Sequence, residues 1–205
     1  MSFAIRAFLA AVLFLSSAGG LVVEIVAGRL IAPYVGMSLY TWTAIIAVVL
    51  AGLSVGHWIG GRMAGPDVDR QSGLRRLAGA LALAGLGSLL ALVLLNDLAV
   101  GLLSSGLGQV TIVVLLATAL FLLPSLFVGM VAPIVTKLAV DAEPDNTGAV
   151  LGRMYAIGTV GSIGGTLSAG YLFISWIGSS GTLVAVTLLY AVLALACALL
   201  AGRKT

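Results

Sequence analysis

Residues 19–36 read "GGLVVEIVAGRLIAPYVG". Glu24 follows a nearly unbroken apolar run that starts at Ala7, and Arg29 comes five residues later. A carboxylate in such a place means one thing in water and another in lipid, so the solvent comes first.

The chain is 61% hydrophobic and only 8% charged, with a mean hydropathy of +1.22. Soluble domains carry about 25% charged residues. So few charges cannot cover a water-facing surface, and the expected class is an all-α integral membrane protein. A spanning helix needs about 20 mainly apolar residues. Six stretches qualify, at 7–32, 41–60, 77–95, 110–136, 151–175 and 181–201, with short connections and one transmembrane domain over 1–205. "MSFAIRAFLAAVLFLSSA" also has the form of a cleavable signal peptide. The apolar run continues through Leu21–Val26, however, which favours an uncleaved first span.

Lysine and arginine placement sets the orientation. Arg6, Arg62, Arg70, Arg75, Arg76, Lys137, Arg153, Arg203 and Lys204 fall on one side of six spans, and Arg29 alone falls on the other. Both termini are expected in the cytoplasm, with the chain multi-pass in the inner (plasma) membrane. The net charge of +3 then reports topology, and no basic face marks a nucleic-acid partner. Cys197 lies alone in an apolar run and reads as a small buried hydrophobe.

"RLIAPYV" and "GMVAPIV" place Pro33 and Pro133 one hundred residues apart. The next segments share a glycine ladder: Gly52, Gly56, Gly60 and Gly61 in one, Gly158, Gly161, Gly164 and Gly165 in the other. Three spans per unit would make this a 3+3 inverted repeat, an organisation that recurs in secondary transporters. The ladders also read as packing seams, because close backbone approach drives helix association in lipid. Thr159, Ser162, Thr166 and Ser168 are placed to bond across helices. Pro124 and Pro133 invite a kink in the fourth span.

Glu24 lies about 27 Å beyond Arg6 at 1.5 Å per residue, in the outer half of the membrane. Facing lipid, its charge costs a few kcal/mol, so it should face protein or water. Two partners suit it: Arg29, although five residues is a poorer spacing than three or four, or a cationic substrate. Tyr34, Tyr40 and Trp42 follow closely enough to offer aromatic faces to such a cation. His57, the one histidine, is a candidate proton relay. No paired-carboxylate site, metal-spaced cluster or phosphate loop is present, so neither an enzyme nor a cofactor is expected.

The stretch from Glu24 to Arg62 resembles the membrane part of the fused transporter–spermidine synthases. The matching positions are Glu24, Ala27, Gly28, Arg29, Ile31, Ala32 and Pro33, then Ser38, Thr41 and Trp42, then Gly60, Gly61 and Arg62. Pro124, Gly129, Pro133 and "GAVLGRMYAIGTVGSIGG" extend the likeness to about residue 175. The resemblance implies a membrane part that works beside an aminopropyltransferase-like domain, which these 205 residues do not contain. The expected function is therefore a transporter, or half of one, for polyamines or related organic cations, with Glu24, Arg29, Tyr34, Tyr40 and Trp42 at the substrate. One acid per chain leaves a polyamine short of partners, which a homodimer would supply. The alternative is a membrane anchor or scaffold that holds a soluble synthase-like enzyme through the arginine-rich 62–76 loop.

Overall fold

The structure is a computed structural model that describes residues 3–202. Its helices are α1 (Phe3–Val35), α2 (Leu39–Met63), α3 (Arg70–Leu103), α4 (Gln109–Asp141), α5 (Thr147–Ser168) and α6 (Ile174–Gly202). A π-helical turn, Ala169–Phe173, joins the last two. No strand occurs among the described residues. The α2 and α3 starts are written locally: Ser38 accepts from the Thr41 amide and Asp69 from the Ser72 amide, each satisfying a donor that the first turn leaves free.

Five helical stretches are long and apolar enough to cross a membrane, the last running from Pro144 to Gly202 over 59 residues. If straight, that stretch would be about 88 Å long at 1.5 Å per residue, far more than a bilayer. It is not straight. Gly178 has φ 71° and ψ 173°, a conformation that side chains disfavour and glycine adopts freely. The reversal expected as a short loop near 176–180 is thus a turn at one glycine. α1 and α3 outrun the expected spans, and α4 passes through Pro124 and Pro133 as one helix. Gly87 leaves room for the Pro124 ring, since a Cβ there would lie 3.1 Å from Pro124 Cγ.

Side-chain bonds fix the direction of each helix. At one end of the bundle, Arg6 meets Glu143, Arg76 donates to the Met63 carbonyl and Lys137 to that of Val68. Gln71 donates there to the Ala201 carbonyl, and Arg153 to Glu143. This basic end therefore gathers the starts of α1, α3 and α5 with the ends of α2, α4 and α6. At the opposite end Tyr34 donates to Asn96 and Gln109 to the Val35 carbonyl. Successive helices alternate in direction.

Glycine seams hold the bundle. A Cβ at Gly52 would stand 2.7 Å from the Leu122 carbonyl oxygen and one at Gly60 2.6 Å from that of Met130, while one at Gly56 would collide with that of Leu126. On the other side of the bundle, Gly161 and Gly165 touch the Phe14 and Ala18 carbonyls in the same way. α2 packs on α4 and α5 on α1; α3 packs on α4 and α6 on α1. Exchanging the first three helices with the last three maps each of these pairs onto its counterpart, although the minor α1–α3 contact has no match. The seams align Phe14 with Leu126 and Ala18 with Met130. The prolines do not follow that register: Pro33 is two residues from the end of α1 and Pro133 eight from the end of α4.

Bulk in a seam should cost more than bulk beside it. Gly56→Val should destabilise the protein by about 2 kcal/mol or more, the scale of overpacking. Gly61→Ala, at a position with nothing within 4 Å, should leave thermal unfolding in detergent unchanged.

Candidate functional site

α2 leans on α4 and α5 on α1, while α2 and α5 make no comparable contact with each other. Between them, over the crossing of α1 and α4, lies a cavity of about 730 Å³, within the usual range for ligand sites. Its lining includes Ser17 from α1, His57 and Gly61 from α2, Thr136 and Lys137 from α4, and Ser162 from α5. Met154 and Tyr155 add apolar and aromatic surface. It occupies the half of the bundle toward the basic end and is called the vestibule below. The lining positions 57 and 61 share one face of α2, as i and i+4 must, and its C-cap Ala64 continues the wall.

Among the described vestibule residues, Lys137 is the one that carries a fixed charge. Lys137 is paired with Asp141 one turn on. Glu143 lies beyond it in the α4–α5 connection and binds Arg6 at 2.6 Å and Arg153 at 3.0 Å. These two guanidiniums hold the Glu143 carboxyl below the usual range, the Arg6 hydrogen bond contributing most. The clip ties the starts of α1 and α5 to the end of α4.

Glu24 is not among the vestibule residues. It lies seven positions beyond Ser17 on the same face of α1, about 10 Å along the axis. Gly20 intervenes, close to Val128 of α4, where a Cβ would be 3.1 Å from the valine methyl. A void of only about 10 Å³ remains beside that contact, lined by Gly20, Val23, Val49, Leu53, Pro124 and Val128 among others. Glu24 is half-buried and makes no ion pair among the described residues; the pairs are Arg6–Glu143, Lys137–Asp141 and Arg153–Glu143.

The other expected substrate residues are dispersed. Trp42 comes to α1 directly: its indole covers Gly28, where a Cβ would lie 3.0 Å from the ring. That is one turn from Glu24. Tyr34 instead turns to Asn96 of α3, at 3.3 Å. Arg29 and Tyr40 are exposed. His57 lines the vestibule, 2.5 Å from the Leu53 carbonyl through Nδ1. The α5 hydroxyls do not bridge helices as expected. Thr159 and Thr166 bond the Tyr155 and Ser162 carbonyls of their own helix, the usual way such side chains are satisfied in apolar surroundings.

Ser17, Thr136, Lys137 and Ser162 carried no signal as a group. They lie in three helices, α1, α4 and α5, and only the packing of those helices brings them to one wall. Cys197 is buried and free.

The long apolar helices suit a multi-pass helical membrane protein. No protein-family model matches the chain, and no curated protein or solved structure shows detectable similarity to it.

Glu143 generates a pH prediction. Its folded pKa is depressed, so its contribution is in place above the ordinary glutamate value of about 4.3 and fades as pH falls through the lowered one. The melting-temperature gap between the parent and Glu143→Gln should be steady from about pH 6 to 8 and close in stronger acid.

Proposed function

We propose that this chain is an inner-membrane transporter, or half of one, for polyamines or related organic cations, akin to the membrane part of the fused transporter–spermidine synthases. The single observation that carries this reading is Glu24, a half-buried carboxylate without an ion-pair partner among the described residues. It lies on the α1 face that enters the vestibule through Ser17. An ionised acid within a membrane helix costs about 3 kcal/mol or more against lipid. A protein keeps one there for a counter-ion, and an organic cation supplies it. The Trp42 indole one turn away offers that cation an aromatic face. Lys137 at the vestibule wall does not bar its entry, because Asp141 offsets the lysine charge.

In this reading the six helices cross the bilayer six times, the basic end is cytoplasmic, and the halves form a 3+3 inverted repeat. The asymmetry of arginines and lysines supports the first two points, and the exchange symmetry of the helix pairs supports the third. A homodimer would bring two Glu24 carboxylates to a multiply charged substrate. No chemistry beyond movement of the substrate is assigned to these residues.

Two experiments test this reading. Single cysteines at positions 70 and 101 should label from the cytoplasmic and external sides respectively; labelling of both from one side would overturn the topology. Proteoliposomes should take up radiolabelled spermidine, and Glu24→Gln should lower that uptake by about tenfold or more, equivalent to about 1.4 kcal/mol, with thermal stability unchanged. Arg29→Gln should leave uptake nearly intact. Equal destabilisation by both substitutions would instead mark a structural pair, and a parent protein without uptake would favour the scaffold.

A further inference from the structure

Among the described vestibule residues, His57 is the charge-bearing group whose state is left open. From α4, Lys137 is paired with Asp141 and also reaches the Val68 carbonyl. From α5 the wall presents Tyr155, and from α1 it presents Leu13 and Ser17, which carry no charge. On α2 itself, Arg62 is folded over the Trp58 ring, 4.5 Å from its centroid. No carboxylate is among the described residues that line the vestibule with it.

Its tautomer follows from geometry. The His57 Nδ1 stands 2.5 Å from the Leu53 carbonyl oxygen. A carbonyl only accepts, so Nδ1 must carry the hydrogen. Nε2 is then the ring's remaining polar atom, with one lone pair and no hydrogen-bond partner among the described residues. In the neutral ring it is an acceptor and nothing else. Histidine is also the side chain whose charge changes between about pH 5 and 8.

We infer that neutral His57 accepts an N–H of an ammonium substrate at Nε2, and that a proton bound at the same atom excludes that substrate. The inference rests on the cation reading and adds the exchanging ion to it. One lone pair cannot serve both. With a proton on Nε2 the ring offers a donor where the ammonium needs an acceptor, and a positive charge where it needs none. The exchange balances: the proton leaves Nε2 for vestibule water, the ammonium keeps its own hydrogens, and only hydrogen bonds are made and broken. One site that holds either a proton or a cation is what couples their movement in opposite directions. The chemical class follows: primary and secondary ammonium ions, which have N–H groups to donate.

The test uses the purified 205-residue chain in detergent with radiolabelled spermidine as the probe. The parent's affinity should fall on the order of tenfold between about pH 8 and pH 5.5. In weak buffer near pH 6.5 the parent should also release protons, never more than one per spermidine bound. His57→Gln and His57→Asn keep a polar side chain that does not titrate. Either variant, if monodisperse and melting like the parent, should bind with a markedly flattened pH dependence and release no proton. Failure of the parent to bind spermidine at any pH would remove the cation reading, and this inference with it. Binding without proton release by the parent overturns the inference alone, and does so without needing a variant to fold. Proton release that persists in both variants overturns it as well.

Discussion

Backbone meeting backbone is the contact on which this protein depends. In lipid there is no hydrophobic reward for bringing apolar helices together, so association rests on van der Waals contact and dipoles at short range. Gly52, Gly56 and Gly60 let α2 lie against the α4 carbonyls, and Gly161 and Gly165 let α5 lie against those of α1. Each seam joins a helix from one half of the chain to a helix from the other. The halves are therefore interlocked rather than placed side by side.

The vestibule is a consequence of that interlocking. Since α2 is committed to α4 and α5 to α1, neither closes on the other, and the space between them is floored by α1 and α4. Toward the middle of the bundle it ends at the Gly20–Val128 contact, where little free volume remains. Beyond that contact sits Glu24. At the basic end the Glu143 clip and the Lys137–Asp141 pair keep fixed charges answered without filling the chamber. A chamber toward the basic end, a tight waist, and beyond the waist an acid without an ion-pair partner among the described residues form the arrangement on which the functional reading rests.

The polar groups divide into two kinds. Threonines on α5 return their hydroxyls to their own helix, and Tyr190, deep in the core, donates to the Ser16 carbonyl. These are satisfied and structural. Glu24 and the Nε2 face of His57 have no such answer from the described residues. Burial of an unanswered polar group is costly, which is why half-buried Glu24 carries the functional argument, while His57, exposed on the vestibule wall, carries the coupling argument through its unpartnered Nε2.

Much of this was legible in the residues. The near absence of charge dictated lipid as the solvent, apolar runs of about 20 residues dictated helices, and the glycine ladders marked the seams, because these features act through composition and local spacing. Glu24 stood out because a carboxylate among valines is costly wherever the helix goes. The reversal at Gly178 was not legible: one glycine among several looks like its neighbours until its φ is known. The proline pair pointed to a register the seams do not keep, since short sequence likeness carries no information about which atoms touch. Nor could the vestibule be read. Ser17, His57, Lys137 and Ser162 come from four helices, and the tautomer of His57 depends on a carbonyl one turn away. Local spacing decides what a helix is; which residues share a wall is decided only when helices distant in sequence pack.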